Sequence, residues 1–159
     1  MTNQNKLLTI AAAILIINTG FYFMYRTSQT PEPHKVSLCF IRNTEDGGHA
    51  DIKMNIVGDK VTGEFNWLPN GKDAKTGTFA GSISPVDQMM MGRTLDVIWD
   101  AHAEGTVHKE QLKIIMGEGN AAPGFGEMKD RGDGVLVYAN PEKIVYEPNL
   151  SDVDCLTGK

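Results

Sequence analysis

The sequence predicts an all-β fold, an antiparallel small barrel or sandwich of seven to nine strands, preceded by one N-terminal transmembrane helix. Three observations carry that expectation: a charge-free apolar run near the start, period-two alternation of apolar and polar residues through most of the remainder, and turn residues every 8 to 12 positions. The 159 residues, 41% hydrophobic and 22% charged, suit one modest domain plus an appendage and leave little room for a two-domain enzyme.

From Leu7 to Tyr25 the chain runs 19 residues without a formal charge. As a helix at 1.5 Å per residue this segment is about 28 Å long, close to the hydrocarbon thickness of a bilayer. Phe21, Tyr22, Phe23 and Tyr25 cluster at one end, where aromatic rings favour the head-group layer, and Lys6 and Arg26 bracket the run. A cleaved signal peptide would need small residues at the cut, and a lipoprotein would need a cysteine there. The chain has Tyr25-Arg26-Thr27 at that point, and its first cysteine is Cys39. Residues 1–6 therefore read as a tail, 7–25 as a signal anchor, 26–35 as a Pro-containing stalk, 36–155 as the β domain and 156–159 as a second tail.

Charge excludes one class of partner. Residues 32–159 carry 13 basic and 20 acidic side chains, a net of −7, with no Lys/Arg stripe, so a nucleic acid is not an expected partner. Positive-inside counting leaves the orientation of the anchor nearly tied. The cysteines break the tie: Cys39 lies near the start of the β domain and Cys155 near its end, which suits a bridge formed in an extracytoplasmic compartment. Such a bridge closes a loop of over 100 residues, worth about 4 to 5 kcal/mol at most in the chain-entropy account. The competing reading is two free thiols buried as small apolar side chains in a cytoplasmic domain.

Within the β domain, Ala50, Ile52, Met54 and Ile56 share one face, and Val61, Gly63, Phe65 and Trp67 alternate in the same way after the tight-turn pair Gly58-Asp59. Further strands are expected at 76–84, 93–101, 106–116, 126–129, 134–138 and 143–146. Residues 85–91 could make a helical turn, and Gly117 to Gly126 reads as a flexible loop. The resulting outline is lipocalin-like in shape.

Chemistry-bearing patterns are sparse. His102, Glu104 and His108 could share a metal ion only if a turn at Glu104-Gly105 brought the histidines together, and solvated loop histidines are the simpler reading. His34 and His49 have no ligand neighbours in sequence. The Gly117 to Gly126 segment lacks the Lys-Ser/Thr of a phosphate loop. Arg131-Gly132-Asp133 reads as a turn, Met89 to Met91 as packing or a loop, and Asn149-Leu150-Ser151 as a glycosylation sequon. No nucleophile stands beside a histidine base, so catalytic residues, metals and cofactors are not expected. The surface set singled out for ligand binding is Trp67, Lys72, Asp73, Trp99 and Glu104, in which the two indoles either cap the core or line the opening of a barrel.

Cys39, Gly63 to Trp67 (G-x-F-x-W), Lys72-Asp73, Gly77 to Gly81 (G-x-F-x-G), Trp99, Glu104-Gly105 and Asp154-Cys155 together resemble a bacterial family of small membrane-anchored proteins and lipoproteins with a single disulfide-closed β domain. The resemblance covers most of residues 36–155, departs from the lipoprotein members in lacking a lipobox, and implies an architecture without an activity. The functional expectation is a single-pass inner-membrane protein whose external domain binds a small molecule or a protein of the envelope without catalysis. One alternative is an envelope enzyme inhibitor, similar in shape to small β-barrel lysozyme inhibitors, that would plug a cleft with the 117–126 loop. A small metal-dependent enzyme is the other.

Overall fold

Alternating apolar residues bury themselves only where the chain is pleated and its neighbours present the same phase, and the strands follow that rule. The computed structural model describes residues 34–71, 73–87 and 91–157; the expected anchor at 7–25, most of the stalk, and Lys72, Met89 and Met90 lie outside them. Among the described residues no helix is long and apolar enough to cross a membrane.

The strands are β1 (Lys35–Asn43), β2 (His49–Val57), β3 (Lys60–Leu68), β4 (Lys75–Ile83), β5 (Arg93–Ala103), β6 (Thr106–Gly117), β7 (Asn120–Phe125), β8 (Met128–Asp130), β9 (Val135–Tyr138), β10 (Val145–Tyr146) and β11 (Leu150–Val153). They form one 11-stranded sheet in the order β10-β7-β11-β1-β2-β3-β4-β5-β6-β9-β8, and a further pairing of β7 with β6 closes eight of them into a ring. Strands β1 to β7 run as an up-and-down meander, and β11 inserts antiparallel between β7 and β1. Closure pairs β6 with β7, and the sheet keeps only the short strands β10 and β8 at its ends.

The inward phase holds Ile52, Met54, Phe65, Leu95, Val97 and Ile114, none more than 1% exposed. Phe79 on β4 and Trp99 on β5 are cross-strand partners in the same core. The β2–β3 hairpin turns on Gly58-Asp59 as expected, with Gly58 at φ +65, a conformation that costs glycine little.

The count exceeds the expected seven to nine because two strands carry weak signals. Asn120–Phe125 has the composition of a loop, with two alanines, a proline and a glycine, yet it is wall strand β7, with Ala121 and Ala122 buried. Small side chains suit it to the place where the ring closes. Gly117 to Gly126 is thus the end of β6, a two-residue turn and β7, not a flexible loop. Strand β11 is only four residues long and follows the sequon asparagine. Of the segment 85–91, where a helical turn is expected, residues 88–90 lie outside the described residues, and Asp87 forms an isolated antiparallel bridge with Gly92. A single 3-10 turn, Pro141–Lys143, replaces the start of the strand expected at 143–146, and the Asn140 side chain caps it by accepting from the Glu142 N–H at 3.0 Å.

Cys39 and Cys155 are disulfide-bonded, with Cα atoms 5.2 Å apart across a sequence separation of 116. Because Cys39 also pairs with Val153, the bridge fastens β11 to β1 at the seam where the two ends of the domain meet.

Candidate functional site

Successive hairpins place the β1–β2, β3–β4 and β5–β6 connections at one end of the ring, and the inner face there departs from the apolar rule. The ladders set Arg42 opposite Ala50, Ala50 opposite Trp67, and Trp67 opposite Lys75, so a guanidinium, a methyl, an indole and an ammonium follow one another around the inside. Ala50 is the short member of that row. Between Arg42 and Trp67 it leaves a recess of about 280 Å3, walled further by Asp46, Pro69, Asn70 and Pro148.

Trp67 packs against Phe125 with ring centroids 5.1 Å apart. Phe125 does not line the recess, which leaves the remainder of the indole to form its wall. Arg42 is exposed and donates from Nη1 to the Asn149 carbonyl at 3.2 Å; among the described residues no carboxylate pairs with it. Asp46 sits in the β1–β2 turn, where its Oδ1 accepts from the Thr44 hydroxyl and, at 3.2 Å, from the Gly48 N–H. Those bonds, the Thr44 hydroxyl foremost, hold its carboxyl below the usual carboxylate range.

Outside the recess, beside a second cavity that Trp99, Phe125 and Tyr138 also line, the Lys75 ammonium reaches across to both Glu110 oxygens at 2.8 and 3.1 Å and lies 6.0 Å from the centre of the Trp99 ring system. The Glu110 side chain is 13% exposed and that of Lys75 38%, so the pair is half-buried, its carboxylate in the phase of the core and its ammonium reaching solvent. Trp99 stacks at a tilt on Phe65, 4.9 Å between centroids, and its buried Nε1–H has no hydrogen-bond partner. That edge of the indole lies against Gly77, where a Cβ would come within 3.3 Å of Nε1 and strike the Asp100 carbonyl.

Of the residues singled out from sequence, Trp67 and Trp99 both face inward, Trp67 half-buried at the recess and Trp99 buried in the core. Asp73 is exposed in the β3–β4 connection, Glu104 is exposed at the β5–β6 turn, and Lys72 lies outside the described residues. Glu104 and Gly105 both have positive φ, 49° and 78°, as a two-residue hairpin turn of type I′ requires. That turn does not gather the histidines. Ala101 pairs with His108 while His102 pairs with Val107, which puts the two imidazoles on opposite faces. Among the described residues no three His, Cys, Asp or Glu side chains are grouped to hold a metal ion.

His49 also borders the recess, with Nδ1 against Asn43 at 2.8 Å and Nε2 against Asp51 at 2.9 Å, so neither ring nitrogen is free to activate a nucleophile. Arg131 and Asp133 pair with each other at 2.6 Å across their turn. Lys75, Glu110 and Arg42 were not singled out from sequence, although each shares the phase of apolar strand neighbours: Phe79 and Ile83, Leu112 and Ile114, and Phe40. A charge in the buried phase was the available signal.

The fold and this end define an all-β protein with a charged, aromatic recess inside one end of a closed ring of strands. No family model matches the chain, and neither a similar curated protein nor a similar solved structure was found. The family resemblance of residues 36–155 rests on its motifs alone.

Proposed function

We propose that this chain is a non-catalytic binding module, held at the inner membrane by residues 7–25 with its β domain outside the cytoplasm, and that it takes a small envelope ligand at the Trp67 end. In this reading the closed ring is a small barrel, lipocalin-like in outline, of the size whose interior is either filled by side chains or open to one small ligand. The observation that carries the proposal is the recess of about 280 Å3 between Arg42 and Trp67. An end built only for packing would close over with apolar side chains; this one presents a guanidinium and an indole. The Cys39–Cys155 bridge supports an oxidising compartment, and the charge-free run 7–25 supports the anchor.

Two measurements test it. Membrane-impermeant thiol labelling of intact spheroplasts, with and without reduction, is expected to mark Cys39 and Cys155 only after reduction; labelling that needs membrane rupture and no reductant defeats the external placement. Titration of the purified protein with a panel of sugars, organic acids, amino acids and fatty acids is expected to change tryptophan fluorescence, with the response lost in Trp67→Phe. A panel without response defeats the binding reading.

A further inference from the structure

The contents of the recess go further than its existence and narrow the chemistry of what fits. This step rests on the binding reading above. Arg42 brings a guanidinium that donates to a backbone carbonyl, with no carboxylate paired to it among the described residues. A planar fork of N–H donors of this kind matches a carboxylate. Asp46 supplies the opposite demand: its Oδ1 takes the Thr44 hydroxyl and the Gly48 N–H, and a carboxylate with two oxygens can still accept from a hydroxyl group. Trp67 provides a flat apolar wall of the same recess, and Asn70 adds an amide that both donates and accepts.

One occupant must therefore present an anion to Arg42, hydroxyl donors to Asp46 and a face of C–H groups to the indole. A fatty acid has no donors for Asp46, and a neutral sugar leaves Arg42 unanswered. A polyanion would be opposed by Asp46 itself and by the −7 net charge of residues 32–159. We propose that the recess binds a sugar acid, a pyranose ring carrying a single carboxylate, with the carboxylate on Arg42, ring hydroxyls on Asp46 and a sugar face on Trp67. The recess has room for one such ring.

The test uses glucuronate, glucose and phenylalanine as probes, read by calorimetry and by tryptophan fluorescence on the full β domain in its membrane-anchored form in detergent. Glucuronate is expected to bind and glucose to bind at least about tenfold more weakly, the order of one charge-assisted contact. Arg42→Gln is expected to bring glucuronate down to the glucose level, and Asp46→Ala to weaken both sugars, each variant retaining the parent's thermal transition. Equal binding of glucose and glucuronate, unchanged in Arg42→Gln, overturns the sugar-acid assignment and leaves the binding reading standing. Phenylalanine binding in place of glucuronate, lost in Arg42→Gln, also overturns it, in favour of an amino-acid zwitterion. If no compound of the wider panel responds at Trp67, the binding reading falls and this inference with it.

Discussion

The hydroxyl of Tyr138 donates to the Gly124 carbonyl at 2.8 Å and accepts from the Lys113 N–H at 3.4 Å. Strands β6 and β7 pair from Ile114–Pro123 to Gly117–Asn120, so Lys113 and Gly124 are the next position along the ladder. There the two strands part, β9 docking on β6 and β10 on β7. A phenol bridges the two backbones at the first position beyond their pairing.

Replacing that phenol tests its place in the wall. Tyr138→Phe keeps the ring but leaves the Lys113 N–H and the Gly124 carbonyl unpaired, which is expected to cost about 1 to 3 kcal/mol, read as a lower urea midpoint with an unchanged slope. A change under a few tenths of a kcal/mol would show that water replaces the hydroxyl.

The same group makes stability sensitive to alkali. Burial pushes the Tyr138 hydroxyl up from 10.0 to about 12, so the unfolded chain ionises first and the folded chain holds the extra proton in between. Its contribution is complete below pH 10 and is lost as pH rises from 10 to about 12. The fall in melting temperature over that window is expected to be shallower in Tyr138→Phe; parallel curves for the two proteins would refute the assignment.

Lys75 and Glu110 are expected to matter through what each leaves behind. Lys75→Met strands a carboxylate that is 13% exposed at its side chain, a loss of about 1 to 3 kcal/mol given that the ammonium itself is partly hydrated. Adding Glu110→Leu is expected to restore most of that stability, because a hydrophobic pair of similar volume often replaces an ion pair at little cost. Strictly additive losses in a double-mutant cycle would mean that the two side chains do not act together.

Gly77 leaves room for the Trp99 edge and the Asp100 carbonyl, and any Cβ there would strike that carbonyl. Gly77→Ala is expected to destabilise by about 1 to 3 kcal/mol through overpacking and to shift the emission of Trp99, while Gly105→Ala, which meets nothing within 4 Å, leaves that emission alone. Unchanged emission in the first variant would mean that β4 and β5 separate freely at this point.

Much of the meander was legible because period-two patterning is a direct imprint of burial: Ala50 to Ile56 and Val61 to Trp67 lie in the phase that the alternation predicts. The closing strands were not, for a physical reason. Strand β7 carries its role in small residues, and β11 owes its position to Cys155 and to partners more than 100 residues away in β1. Neither leaves a local period. At the candidate site the indoles were visible as aromatic residues near strand ends, whereas Lys75 and Glu110 were hidden because an interior charge looks like an interruption until its partner is known. The anchor at 7–25 and Lys72 lie outside the described residues.

Because the disulfide joins the outgoing strand β1 to the end of the returning strand β11, the polypeptide from Cys39 to Cys155 is a covalent circuit. One protease cut in any of its turns opens that circuit without dividing the molecule. A chain nicked at the exposed 131–134 turn should therefore migrate as one species under non-reducing denaturation and part into two fragments only after its sulfurs are reduced.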